Sequence, residues 1–344
     1  MKIAVYTIAK NEEKHVERWY NSSSDADIHL ILDTGSSDKT IDIAKSLGII
    51  VDQKVFDPFK FDEARNAALD MVPGDIDFCI SLDMDEVLLD GWREQLESSI
   101  IDQPNCTQFE YQFINSRLPD GSPLQTWGRV NVHQRHGARW KWPIHEIVYT
   151  TPYVLGKTNM LSEHMPDLSK PREYLKMLED AAKENPKDSR ISFYYGRELY
   201  YHNMFDKAYI ELKRCATLGG WSYEVSEAYL LAARCMPSEA ESLLFKACSI
   251  TPDRREPFVE LAELYYNESR WIPALGMADR AMSMSKNPTY ISENKAWNFY
   301  IYDIAALCAY NIGNKDLAIS YGEKALSMDK DNDRLRENLN WYRS

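Results

Sequence analysis

Small residues return at a fixed rhythm through the second half of this chain, and that rhythm limits what the half can fold into. Gly196, Ala208 and Cys215 form one set, Ala262, Ala274 and Ala281 a second, and Ala306, Ala318 and Ala325 a third. In each set the second residue follows the first by twelve and the third follows the second by seven. Two antiparallel helices approach closely only where a small side chain lets them. The spacing therefore predicts stacked helix-turn-helix units, each burying its apolar face against the next. Ala240 and Ala247 keep the seven-residue step in one more unit, with Pro252 five beyond. That unit is expected to have a shortened first helix or turn. "SKNPTYISENKAWN" inserts about ten residues before the last unit.

The first half has a different period. Apolar runs at 3–9, 28–32, 49–55 and 76–82 read as strands, and 12–20, 40–47 and 62–71 have helical spacing. Strands that alternate with helices predict an α/β domain with a mostly parallel sheet covered on both faces. Ligands on such sheets lie beyond the carboxyl ends of the strands. Asn11, Asp33 and Asp83 all fall just past strand ends. The helical character begins at about Pro171, so the expected division is 1–165 for the α/β domain and 171–344 for the repeats.

Of 344 residues, Asp and Glu outnumber Lys and Arg by 53 to 40, a formal net charge of -13. This balance argues against a nucleic-acid or anionic-membrane surface. No apolar run reaches membrane-spanning length, and the opening "MKIAVYTIAKNEEKH" turns polar too early for a secretory signal. Six scattered cysteines without CxxC spacing read as reduced thiols, which sets the expectation of a cytoplasmic protein. Residues 1–165 carry 16 Lys and Arg against 26 Asp and Glu. Within them, the stretch 129–145 has Arg129, Arg135, Arg139, Lys141, His133, His136 and His145 and no acid. It reads either as a site for an anionic ligand or as a solvated strand-loop-strand face.

The chemistry centres on "CISLDMDEVLLDG", from Cys79 to Gly91. An apolar strand there runs into Asp83, Asp85 and Glu86, three acids that repel one another. A divalent cation, a nearby basic group or plain solvent would compensate them. Residues i and i+2 past a strand end can point the same way, so Asp83 and Asp85 offer two carboxylates to one hard cation such as Mg²⁺ or Mn²⁺. Glu86 either completes that shell or caps the next segment. In "DTGSSDKT", Ser36, Ser37 and Asp38 suit the start of a helix, and Asp33 can accept a hydrogen bond from a base N–H. In "FDEARNAAL", Arg65 offers a planar fork for phosphate, or else an ion pair with Asp62 or another acid.

"TIAKNEE", "LDTGSSDKT", "FDEARNAAL" and "ISLDMDEVL" occur in the order and spacing of family 2 inverting glycosyltransferases of the GT-A fold. The helical half resembles the tetratricopeptide repeat, with "YYGRELYYHNMFDKAYIELKRC" and "LAELYYNESRWIPALGMADRAM" as its clearest copies. Together they resemble the branch of that family whose catalytic domain is followed by such repeats. The resemblance implies a UDP-sugar donor and a divalent metal, Mn²⁺ or Mg²⁺. It places Thr7, Ala9, Asn11 and Asp33 around the nucleotide, with Thr7, Ala9 and Asp33 bordering the uracil. Arg65 falls near the base or diphosphate, Asp83 near ribose and metal, and Asp85 on the metal. His164, in "LSEHMPDLSKPREYL", matches by order a histidine that completes the metal shell. "WGRVNVHQRHGARWKWPIHEIVY" resembles the segment that ends in a His-Glu pair, which makes Glu146 or His145 the candidate general base, with Glu86 the competing acid. Trp127, Trp140 and Trp142 suit sugar stacking or the core equally.

The resulting expectation is a metal-dependent hexosyltransferase, with a protein, peptide or glycan acceptor held by the repeats. Repeats also mediate dimers, so a homodimer is compatible. The alternative is a non-catalytic repeat scaffold with a vestigial nucleotide-binding domain. A nucleotidyltransferase would carry a glycine-rich loop after the first strand, and "TIAKNEE" has no glycine.

Overall fold

The computed structural model describes residues 1–118, 121–167, 174–285 and 291–344. The chain forms two compact units, Met1–Met177 and Leu178–Ser344. The expected start of the repeats at 171 lies outside the described residues.

The first unit opens with β1 (Ile3–Ala9), α1 (Val16–Ser22), β2 (Ile28–Asp33), α2 (Thr40–Ser46), β3 (Ile50–Gln53), α3 (Phe61–Met71) and β4 (Phe78–Ser81). It continues with β5 (Glu86–Leu88), α4 (Trp92–Asp102), β6 (Gln108–Arg117), β7 (Pro123–Gln134), β8 (Ala138–Lys141), β9 (Ile147–Thr150) and β10 (Leu155–His164). Eight strands make one sheet in the order β3-β2-β1-β4-β7-β6-β10-β5. The β3-β2-β1-β4 half is parallel throughout. Beyond β4, only the β6–β10 pairing is parallel. β1 is an inner strand between β2 and β4, and its sequence says why. Ile3, Val5 and Ala9 point into one apolar cluster with α1, α2 and α4. Ala4 and Tyr6 point into another with α3 and the β8–β9 hairpin. A strand buried on both faces reads as a continuous apolar run rather than an alternation.

The first helix starts at Val16 rather than Glu12 because 11–15 form a loop tied to its neighbour. The third strand is also shorter than the apolar run 49–55 suggests. Val55 and Ile50 are exposed, so β3 is a short sheet edge.

The second unit contains α6 (Ser189–Tyr201), α7 (Phe205–Leu218), α8 (Ser222–Cys235), α9 (Ala240–Ile250), α10 (Glu256–Asn267) and α11 (Trp271–Met282). α12 (Tyr300–Asn311), α13 (Lys315–Met328) and α14 (Asp333–Arg343) complete it, and α5 (Leu175–Glu184) precedes the first pair. The helices pack as α6–α7, α8–α9, α10–α11 and α12–α13, and the first helices of successive pairs also touch. All the small residues of the register are buried. A Cβ on Gly196 would come within 2.8 Å of Leu212 Cγ, so α6 and α7 meet there.

The expected shortening near Ala240 is not found. α8 has 14 residues, and Ala228, twelve before Ala240, is fully buried. The register is therefore intact in all four units. The alanine-rich run of α8 hid which small residue kept the step. Within the insertion, residues 286–290 lie outside the described residues.

Candidate active site

Three strand ends converge at the carboxyl edge of the sheet. Ala9 of β1 pairs with Asp33 of β2, and Tyr6 pairs with Ser81 of β4. The chain crosses from β1 outward to β2 on one side and returns to β4 on the other, which makes this the topological switch point of the sheet. A cavity of about 260 Å³ lies here. Ile8, Phe61 and Met84 line its apolar part, with Glu12, His15, Arg65, Asp83, Asp85, Asp167 and Tyr174 around it.

The β1–α1 and β2–α2 loops are laced together. Asn11 N donates to Ser36 Oγ at 2.8 Å, Glu12 N to Thr40 Oγ1 at 2.7 Å, and Glu13 N to Asp38 Oδ2 at 3.1 Å. In return Ser37 N donates to Asn11 Oδ1 at 2.8 Å and Lys39 N to Glu13 Oε2 at 3.0 Å. Asn11 sits at φ 56°, a left-handed conformation that asparagine tolerates. The serines and Asp38 thus join two loops rather than simply capping α2, whose cap residue Lys39 makes no side-chain bond. Ala9 O accepts from Thr34 N and Oγ1. The hydroxyl of buried Thr7 donates to Ile8 O.

Asp33 is fully buried. Its Oδ1 accepts from Gly35 N and Ser36 N, both at 3.0 Å, while Oδ2 has no partner among the described residues. A buried acceptor left unmet costs about 1–3 kcal/mol, a cost that a donor reaching this oxygen would offset.

The acids after β4 are compensated by arginines. Arg65 on α3 donates from Nη2 to Asp83 Oδ1 at 2.7 Å and from Nε to Glu146 Oε1 at 2.5 Å. It also reaches Ser81 Oγ from Nη1, and its guanidinium lies over the Trp140 ring. Arg129 on β7 donates from Nη2 to Asp83 Oδ2 at 3.0 Å and from Nη1 to Glu86 Oε1. Burial alone would raise the Asp83 carboxyl, but the two guanidiniums outweigh it and hold the group at about 2. Glu86 is the opposite case. Burial, with repulsion from Asp83 and Asp85, lifts it to about 8 against the pull of Arg129. For both arginines burial disfavours the charge, yet the facing carboxylates outweigh it and raise the pKa.

Asp85 Oδ2 lies 3.2 Å from His164 Nε2 at the end of β10. Ligand atoms of Asp83, Asp85 and Glu86 all lie within 4.8 Å of one another. Asp83 already gives both oxygens to arginines, so Asp85 and His164 are the oxygen and nitrogen donors best fitted to a divalent ion.

Glu146 and His145 sit in the tight β8–β9 connection. His145 has φ 53° and Trp142 φ 75°, conformations that a side chain occupies only under surrounding constraint. The constraint is visible. Asn66 on α3 grips Trp140 through both its backbone N (2.9 Å) and O (3.0 Å), and Phe61 N donates to Pro143 O.

The basic stretch 129–145 does not act as one patch. Arg135 Nε donates to Val72 O, Arg139 pairs with Asp70, and His136 meets Gly74 O. His133 is buried and held near a pKa of 4, chiefly by burial. Trp140 Nε1 donates to Tyr6 Oη at 2.7 Å, so Tyr6 donates to His133 Nε2 at 2.9 Å. That leaves His133 Nδ1 to donate to Gln134 O, the neutral tautomer. Of the four cationic side chains in the stretch, Arg129 is the one that faces the acids after β4. Trp140 is core; Trp127 and Trp142 are half-buried.

Sequence reasoning did not find Glu12, His15, Phe61, Met84, Asp167 or Tyr174 as cavity residues. Glu12 stands in the quoted "TIAKNEE" and Phe61 in "FDEARNAAL", so both were within its reach. Asp167 and Tyr174 likewise stand in the quoted "LSEHMPDLSKPREYL", and Met84 in "ISLDMDEVL".

A buried acceptor at the switch point and an acidic cluster past β4 stand on an α/β sheet of the GT-A kind. Residues 4–157 match the family model described as glycosyl transferase family 2. The N-terminal unit of this chain is therefore a family 2 glycosyltransferase domain. No curated protein matches the chain. Among solved structures, pilF of Pseudomonas aeruginosa is similar at 19% identity, covering 47% of this chain and 70% of that one, with a TM-score of 0.39. A thermophilic tetratricopeptide protein of Thermus thermophilus, TTC0263, shares 19% identity over 49% of this chain and 88% of that one, TM-score 0.33. S. aureus TarS shares 12% identity over 74% of this chain and 56% of that one, TM-score 0.42. Among the described residues no helix is long and apolar enough to cross a membrane.

Proposed function

We propose that the protein transfers a hexose from a UDP-sugar, with inversion and with Mn²⁺ or Mg²⁺, to an acceptor handled by the repeats. The observation that carries this reading is the unmet Oδ2 of fully buried Asp33 at the edge where the nucleotide of an α/β sheet lies. A uracil N3–H is a donor of the kind it lacks. Thr7 and Ala9 on β1 and Asn11 on the laced loop would border that position. Asp83 sits toward the ribose and metal, and Asp85 with His164 would hold the metal. Once bound there, the metal offsets charge on the leaving diphosphate. The acceptor hydroxyl attacks the anomeric carbon from the face opposite the diphosphate. Its proton passes to Glu146, or to His145, as the carbon–oxygen bond to phosphate breaks.

Arg65 is the residue that ties these parts together, since it holds Asp83 and Glu146 at once. It acts here as a brace, and contact with the diphosphate comes through the outer edge of the same cavity. We assign the transfer chemistry to 1–165 and the acceptor to 171–344. The test is Asp85→Ala. We expect loss of UDP-sugar hydrolysis and transfer with an unchanged circular dichroism spectrum. Full activity with metal present would sink the assignment.

A further inference from the structure

The insertion before the last repeat has no part in the reading above, yet its described residues are bound to the repeats with unusual specificity. α10 carries Glu256, Glu260 and Glu263 at helical spacing on one face. Three acids in one stripe repel each other and need partners. The segment 291–297 supplies most of them. Glu256 Oε1 accepts from Ser292 Oγ at 2.9 Å, Glu293 N at 3.1 Å and Trp297 Nε1 at 3.0 Å. The Lys295 ammonium pairs with Glu263 and lies 3.6 Å from Glu260. Arg234 of α8 bridges Glu260 on α10 and Glu293 in the segment, at 2.7 and 2.8 Å. Arg254 donates to Ile291 O, and the Arg255 guanidinium lies over the Trp297 ring.

These contacts are those of a ligand rather than of a core element. The segment meets α8 and α10 largely through charges, an indole N–H and its own backbone. Within 291–297, Ile291 and Ala296 alone add buried apolar side chains. Ion pairs exchanged for hydration contribute little net stability while fixing register strongly. Such a segment is held in one register by specific polar contacts.

We propose that residues 291–297 are a built-in ligand of the face lined by α8 and α10. The partner that replaces them is an extended peptide with a basic residue and a tryptophan two positions apart, as in Lys295 and Trp297. Glu260 and Glu263 take the cation. Glu256 takes the indole N–H and a backbone N–H. This inference is independent of the transferase reading and stands or falls without it.

The test uses the full chain and a fluorescein-labelled peptide of the segment's own sequence, ISENKAW. Tethering gives the resident segment a local concentration of order millimolar. The double variant Lys295→Ala/Trp297→Ala should therefore bind the peptide at least tenfold tighter than the wild type, and a peptide with both residues replaced by Ala should not bind. A folded variant that binds no tighter than the wild type overturns the proposal. Hydrogen exchange on the wild type decides the matter even if the variant does not fold. Amides of 291–297 should open more readily than those of α10. Opening only together with α10 would make the segment an integral part of the repeat and overturn the proposal.

Discussion

Arg65 is where the residue scale matters most. Its guanidinium joins a strand end (Ser81, Asp83) to the hairpin residue Glu146 while buried against Trp140. Replacing it with methionine keeps the stem but takes the guanidinium from Glu146 and leaves Asp83 with Arg129 alone. Breaking a buried pair in this way costs about 3–5 kcal/mol, so Arg65→Met should lower the urea midpoint of the first unit and weaken UDP binding together. His133 gives a separate, pH-linked prediction. Its folded pKa, about 4, lies below the ordinary 6.5, so the unfolded chain takes up the proton first. The stabilising contribution is present above 6.5 and disappears as pH falls through 4. One proton over that window corresponds to on the order of 3 kcal/mol. Urea unfolding from pH 7 to 4 should show that loss in the wild type and a flatter dependence in His133→Gln. The acids after β4 were legible as a cluster in need of compensation and Arg65 as the partner of an acid, but Arg129 was not. Arg129 lies on β7, and only the sheet order puts that strand beside β4.

At the scale of elements, periodicity located what packing made regular. β1, β2, α2 and α3 follow the apolar pattern because both faces of the sheet are covered there. From β5 to β10 only the stretch 129–145 was offered as a strand-loop-strand, although β10 alternates exposed and buried residues cleanly over much of its length. The positions of Glu146 and His145 depend on α3 gripping the hairpin through Asn66. Asn66→Ala removes both bonds to Trp140. Amide exchange in β8 and β9 should then rise, with little change in β1 or β2. In the repeats, Gly196→Val would drive branched carbon into Leu212, 2.8 Å from the position of a Cβ. Overpacking of this kind costs about 1–3 kcal/mol, and calorimetric unfolding of the repeat unit should shift accordingly.

At the scale of the whole molecule, two compact units are built in two different ways. One is built around an unmet buried oxygen and an acidic strand end, the other around stacked helices with a stripe of acids. The division was legible because the sequence changes period, from alternating strands and helices to a fixed step of twelve and seven. The sugar and the acceptor were not, because no sequence period records the few side chains that would select them. The most direct test of the central claim is calorimetric titration of UDP, first with Mn²⁺ and then with EDTA, on the wild type and Asp33→Ala. The account predicts metal-dependent micromolar binding to the wild type, weakened at least tenfold by Asp33→Ala, whose base contact is lost. Absence of UDP binding by the wild type under both conditions would contradict it.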